Sequence, residues 1–351
     1  MRKYRNRILL GLGLAVVIYA GLLLVIDNEG KLTAEMLSYL REFPLHLILL
    51  IAVAQTFVGI FRFLEWHYYL GVIDARDKIS LLDSIVIFVS SFIFAVSPGK
   101  VAELLKAVLL KGKTGVPVAR SAPIVIAERV VDGIAVIVVL VIAVLLASDN
   151  VDLAPYRPLI LTSGAILAAG LIVVQIAPLA YFCLNVLRRI PLLNRFYQPL
   201  LEFYESSREI FKLRHVIPVT LMGMGVYLSS AVGFLIVLYG IGLPLDLTLV
   251  FQAMFIVGIT AAVAALSFVP NGAGIAEIST STLLVALVAP QHPELTLGAA
   301  AFAALLQGFF HKWFRVVVGM LTAVIFRKRL FPETFEEDIA EMEAERITSL
   351  M

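Results

Sequence analysis

Long, mostly apolar runs recur along this chain, and they constrain its fold more than any motif does. Residues 8–26 carry no charged side chain, and a helix needs about 20 mostly apolar residues to cross a bilayer. Comparable runs follow at 45–64, 116–147, 158–181, 216–242 and 295–326. In lipid the backbone must satisfy its own N–H and C=O groups, so runs of this length read as helices. The 351 residues are 60% hydrophobic and 15% charged, against about half and about a quarter in soluble domains. That balance excludes a soluble globular enzyme. A single cysteine, Cys183, excludes an internal disulfide and a CxxC pair. The histidines at 46, 67, 215, 292 and 311 have no metal-binding spacing, so no metal and no cofactor is expected.

Residues 8–26 follow a basic cluster of Arg2, Lys3, Arg5 and Arg7. The run is longer than the apolar core of a signal peptide and no small-residue cleavage site follows it, so it reads as the first span. Residues 27–44 are polar, with a short amphipathic stretch at 34–43. The second span, 45–64, ends near Arg62 and Glu65, beside Trp66, Tyr68 and Tyr69, the kind of aromatic group that marks a membrane–water interface. Residues 185–215 are polar and basic, with an amphipathic helix expected at 197–212.

Two of the apolar runs are broken. Residues 81–96 stop at Ser97-Pro98-Gly99-Lys100, and only about ten residues, 101–110, precede Lys111. Residues 247–269 stop at Pro270-Asn271-Gly272-Ala273-Gly274, and 275–289 follow with Glu277 inside. Each reads as a hairpin, about 81–110 and 247–289, that enters the membrane and returns on the same side. Full crossings would leave the termini where they are; the shortness of 101–110 favours hairpins.

The charges give direction. With the N-terminus in the cytoplasm, the external segments 27–44, 148–158, 243–246 and 290–294 hold three basic residues, Lys31, Arg41 and Arg157. Internal segments hold 22 of the 28, and Arg129, Lys312 and Arg315 lie inside apolar helices. This is the positive-inside pattern. The expected architecture is an all-α polytopic membrane protein of about six full transmembrane helices plus two inverted re-entrant helical hairpins. It forms one integral domain over 1–330, with an acidic cytoplasmic tail at 331–351. Both termini face the cytoplasm of the inner membrane. Span–hairpin–span occurs twice with inverted topology, an arrangement that places a substrate site near the midplane.

Charges inside a bilayer are costly and mark sites. On the third long helix Glu128, Arg129 and Asp132 share one side, close enough for a purely structural ion pair as well as a site. On the last span Gln307, His311 and Arg315 recur every four residues with Lys312 beside them, a stripe that favours anion binding and an interior face. The hairpin tips add oriented backbone donors at helix starts. Candidate substrate-binding residues there are Ser97, Gly99, Lys100 and Glu103 in the first break and Asn271, Gly272, Gly274 and Glu277 in the second. Glu103 and Glu277 have three roles open to them: helix capping, arginine pairing and proton binding.

The blocks from Ser97-Pro98-Gly99-Lys100 through Glu103 to Lys106, then Glu128-Arg129-x-x-Asp132, then Pro270-x-Gly272-x-Gly274-x-x-Glu277, resemble the lysylphosphatidylglycerol synthase transmembrane family. This is the flippase-like membrane domain found in the N-terminal part of the multiple peptide resistance factor. The likeness spans about residues 8–330. Asn271 stands where the second block usually has glycine, and Ala102 where the first often does. The resemblance implies re-entrant helices, movement of a polar-headed lipid between leaflets, and functional roles for Glu103, Arg129, Asp132 and Glu277. No soluble aminoacyl-transferase domain accompanies the membrane part, so synthesis of lysyl-lipid is not expected.

The expected function is translocation of an anionic or phosphate-containing membrane lipid, without enzymatic activity. The alternatives are a secondary carrier of a small soluble anion and, ranked lower, an intramembrane lipid-modifying enzyme. No GxxxxGK[ST] motif is present, so movement is equilibrative or driven by an ion gradient, with Glu103, Glu277 or His311 as proton carriers. The partners are the lipid substrate and the bilayer, with a second copy of the chain or a lipid-synthesising enzyme as further candidates. Nucleic acid is not among them.

Overall fold

A computed structural model of the chain describes residues 31–96, 105–146, 157–189, 194–267, 269 and 272–330. The first apolar run, Ser97, Gly99, Lys100, Glu103, Asn271 and the acidic tail lie outside the described residues.

The described residues are helical throughout, with no strand among them. Helix α1 is Lys31–Glu42, with no buried residue. Pro44 then opens α2, Leu45–Val72, where its fixed φ suits a helix start. Helix α3, Leu81–Ser90, is capped by Ser80, which accepts from the Asp83 N–H at 3.1 Å, and runs on as a tighter coil over Ser91–Val96. After the first break come α4, Leu105–Thr114, and the long α5, Val118–Leu146.

Helices α6, Arg157–Gln175, and α7, Ala177–Arg189, follow, with a 59° bend between Leu161–Gln175 and Ala180–Val186. Then come α8, Tyr197–Ile210, α9, Leu213–Gly240, and α10, Leu247–Leu266, capped by Asp246. The second break, with Gly272 and Gly274 at φ +61° and +82°, leads into α11, Ile275–Leu283. Positive φ costs glycine little and other residues more. Thr296 caps the last long helix, α12, Leu297–Ile325.

Four described helices, α2, α9, α10 and α12, are long and apolar enough to cross a membrane, and the bent α6–α7 pair makes a fifth if it is one span. The protein is a multi-pass membrane protein. Two sequence expectations change. Helix α2 continues past residue 64 to Val72, and Trp66 and Tyr69 are fully buried against neighbouring helices. The described part of the helix after the first break, Leu105–Thr114, runs past the residue 110 at which it was expected to end.

Helices pack here by close approach, because lipid offers no hydrophobic drive between them. The longest partnership is α2 with α9. A Cβ at Gly225 of α9 would meet the Phe61 ring at 2.7 Å, so glycine is what lets the two helices touch. Helix α10 lies along α5, α3 along α12, and α11 folds back against α10 and α12. The buried apolar residues form two cores. One contains Ile51, Ala135, Phe234 and Phe255; the other contains Trp66, Ile87, Leu110, Val131 and Val219. On α5 the division falls between Val131 and Ala135, where Asp132 sits.

Candidate functional site

A cavity of about 670 Å³ lies between α2, α5, α9, α10, α11 and α12. Its polar floor is built on two buried lysine–glutamate pairs. In the first, Lys106 of α4 donates to both oxygens of Glu128 on α5, at 2.7 and 2.5 Å. The ammonium also lies 4.9 Å from the centre of the Trp66 ring, a favourable cation–π placement. In the second, Lys312 of α12 donates to Glu277 of α11 at 2.7 Å and to the Gly272 carbonyl at 3.2 Å. Each buried charge costs about 3 kcal/mol at the centre of a membrane helix unless compensated, and these pairs supply that compensation.

Around the first pair the charges continue as a network. Arg129 meets Asp132 at 3.1 Å and Glu128 at 3.9 Å. Arg62 of α2 meets the other Asp132 oxygen at 2.5 Å and Glu65 at 3.7 Å. Around the second pair, Glu277 also accepts from the Gly274 N–H at 2.8 Å, capping α11. Gly308 of α12 faces this carboxylate, and a Cβ there would collide with Glu277 Oε1. Gln307 donates to the Ser230 carbonyl and hydroxyl, both at 3.3 Å. Ser230 Oγ is 3.5 Å from His311 Nδ1, and Thr260 faces Thr280 at 3.1 Å.

Over Phe309–Phe314 the last helix opens into a wide turn with i→i+5 bonds, a form found often at functional sites. It allows the adjacent His311 and Lys312 both to line the cavity. Arg315 lines it as well, and its Nε donates to the His311 carbonyl at 2.6 Å. Among the described residues Arg315 has no carboxylate partner. Among the described residues five cationic side chains line the cavity, Arg62, Lys106, Arg129, Lys312 and Arg315, against three carboxylates, Glu128, Asp132 and Glu277. The wall away from this floor is apolar. It reaches Ile166 on α6 and Leu266 on α10, which are 68% and 63% exposed.

The sequence model described as the lysylphosphatidylglycerol synthase TM region matches residues 8–319. The chain belongs to this family. The likeness carried by its three sequence blocks is therefore borne out, and membership of the lysylphosphatidylglycerol synthase transmembrane family links the chain to membrane lipids. No curated protein and no solved structure matches it.

Of the residues singled out from the sequence, Arg129, Asp132, Gly272, Glu277, Gln307, His311, Lys312 and Arg315 line one cavity. Gly274 starts α11 and supplies the N–H that Glu277 caps. Ser97, Gly99, Lys100, Glu103 and Asn271 fall outside the described residues. Sequence reasoning missed Arg62, Lys106, Tyr227, Ser230 and the Thr260–Thr280 pair as cavity residues, whereas Glu128, noted beside Arg129 and Asp132, lines it with them. One signal was available: Arg62, Glu65, Trp66 and Tyr69 fall at i, i+3, i+4 and i+7, the spacing of one helix face. The serine and threonines carry no such pattern.

Proposed function

We propose that this chain carries an anionic, phosphate-bearing lipid headgroup between the two leaflets, as a carrier and not as an enzyme. The observation that supports this most is Arg315, a cation on the cavity wall without a carboxylate partner among the described residues, in a floor with two more cations than anions. Guanidinium forks suit phosphate oxygens. The apolar wall that reaches exposed Ile166 and Leu266 gives acyl chains a way to stay in the bilayer while the headgroup enters. That feature favours a lipid over a small soluble anion.

The fold in this reading has six full spans, including residues 8–26 and α5, with two re-entrant hairpins built from α3–α4 and α10–α11. Two inverted repeats, α2–hairpin–α5 and α9–hairpin–α12, account for the packing. The first spans, α2 and α9, lie together, and each hairpin's first leg packs on the closing span of the other repeat. The lysine–glutamate pairs also correspond. Each joins a hairpin return helix to the span that follows it, with the two charges exchanged. Such repeats rock about a fixed midplane site.

The test uses purified chain in phosphatidylcholine vesicles containing a fluorescent phosphatidylglycerol, with an impermeant quencher outside. Wild type should expose the inner-leaflet probe, and Arg315→Ala should slow this by at least about tenfold, the cost of one charge-assisted contact. Vesicles that move no lipid but take up inorganic phosphate would overturn the lipid reading in favour of a small-anion carrier.

A further inference from the structure

Glu65 is 1% exposed, yet it is the least compensated carboxylate of the charge network. Glu128 receives both Lys106 bonds, and Asp132 receives Arg62 at 2.5 Å and Arg129 at 3.1 Å. Among the described residues Glu65 has only Arg62 for an ion-pair partner, 3.7 Å from the same guanidinium nitrogen that meets Asp132 at 2.5 Å. Its Oε1 is buried with no hydrogen-bond partner. The carboxyl sits in a slot cut for it: a Cβ at Gly223 would lie 3.3 Å from Oε1 and 3.0 Å from the Ala135 methyl. One turn along the same face, the Tyr69 hydroxyl and the Trp66 N–H are likewise buried without partners.

A buried carboxylate without donors is unfavourable as an anion, and burial alone favours its neutral form. The groups that bear on Glu65 are known from each neighbouring helix: Arg62 and Tyr69 on α2, Glu128, Arg129 and Asp132 on α5, and Tyr227 on α9. Counted with Lys106, the network of three cations and three carboxylates is neutral when all are charged. One proton on Glu65 leaves it with one excess positive charge. Arg62 connects this to the cavity, because it lines the wall while holding both Asp132 and Glu65.

We propose that Glu65 is a proton-binding site coupled through Arg62 to anion binding in the cavity, so that a lipid headgroup and a proton occupy the chain together. The proton comes from solvent and bonds to a Glu65 oxygen; no other bond changes. With Glu65 neutral, Arg62 is shared with one carboxylate instead of two and attracts the phosphate more strongly. By reciprocity a bound phosphate raises the affinity for the proton. This rests on the headgroup reading above and adds to it a means of drawing on a proton gradient.

The experiment measures binding of dihexanoyl phosphatidylglycerol to the full chain in phosphatidylcholine nanodiscs. Calorimetry in two buffers of different ionisation enthalpy counts the protons taken up across the neutral and alkaline range. Wild type should take up close to one proton per lipid bound, and affinity should fall about tenfold per pH unit at the alkaline end. Glu65→Gln should bind without proton uptake and without that pH dependence, and Glu65→Asp should restore both. Wild-type binding without uptake, or uptake unchanged in E65Q, would overturn the coupling. Infrared difference spectra of the lipid-free chain judge the site separately. A protonated-carboxyl band that grows in wild type as the pH is lowered from the alkaline range and is lost in E65Q supports the proton site; identical spectra refute it. If the lipid does not bind wild type at all, the headgroup reading and its coupling fall, whichever way the spectra decide Glu65.

Discussion

Lys312 and Glu277 have side chains only 4% and 7% exposed and meet at 2.7 Å. Removing one member of such a pair strands the other charge, at a cost of about 3–5 kcal/mol, whereas removing both is far milder. Lys312→Met should therefore destabilise the detergent-solubilised chain by about that amount, and the Glu277→Gln/Lys312→Met double variant should recover most of it in denaturant unfolding. Equal losses in the single and double variants would show that the pair is not what holds the carboxylate. At Gly308 any Cβ collides with Glu277, so Gly308→Ala should displace this carboxylate from Lys312 and slow lipid movement several-fold in the vesicle assay. Movement at the wild-type rate would mean that Glu277's position is immaterial. Of the three roles open to Glu277 in the sequence, capping is seen at Gly274, and a pairing is seen with Lys312. Lys312 is 35 residues distant, so tertiary packing makes that contact and no local spacing announces it. Arg129 and Asp132, three residues apart on one helix, were readable for the opposite reason.

At the scale of the helices, apolar runs located most elements, and their ends were misjudged where charge was taken as a boundary. Arg62 and Glu65 closed the second span on paper. In the structure α2 continues because its charged face meets Asp132 of α5 and its glutamate fits beside Gly223 of α9. A partner helix pays for the charge, and its identity is not encoded nearby. The amphipathic helix expected at 197–212 appears as α8, Tyr197–Ile210, and its junction with α9 has an acid-sensitive fastening. Lys212, hydrogen-bonded to Glu209, and then Arg214 hold that carboxyl down to about 2 from the usual 4.5. A depressed carboxylate stabilises the fold above its unfolded value and loses that contribution as pH falls through the folded one. Hydrogen-exchange protection at the α8–α9 junction, taken relative to the intrinsic rate at each pH, should therefore fall between pH 4.5 and about 2 and be already low at neutral pH in Glu209→Gln. Matching profiles for the two proteins would remove the fastening; its partial exposure keeps the effect small.

Across the whole molecule, two apolar cores are separated by a layer of ionic contacts and an open cavity. Dry packing is rigid and resists deformation, so under the proposed carrier function any movement belongs in the polar layer. At one end of the molecule Asp83 of α3 accepts from Arg329, just beyond α12, at 2.6 Å, and lies 3.6 Å from Lys113 of α4. This tie joins α3 and α4 to the end of α12. Asp83→Asn should loosen it, and a cysteine replacing Ser91, which lines the cavity, should then react several-fold faster with an impermeant maleimide added from that end. Unchanged labelling would show that the tie does not control access. The all-helical, multi-pass character was legible because long apolar runs survive in a single sequence. The cavity's full lining was not, because it is assembled from helices far apart in the chain.

The Lys106 ammonium above Trp66 also makes the protein its own optical gauge. The chain has two tryptophans, Trp66 and Trp313, so Trp313→Phe leaves a single indole with a formal charge 4.9 Å from its ring centre. Any step that draws Lys106 away from Glu128, toward a bound phosphate or with a moving hairpin, changes the field across that ring and therefore the colour of its emission. The same contact that steadies a buried lysine can report, without an added label, when the lysine leaves.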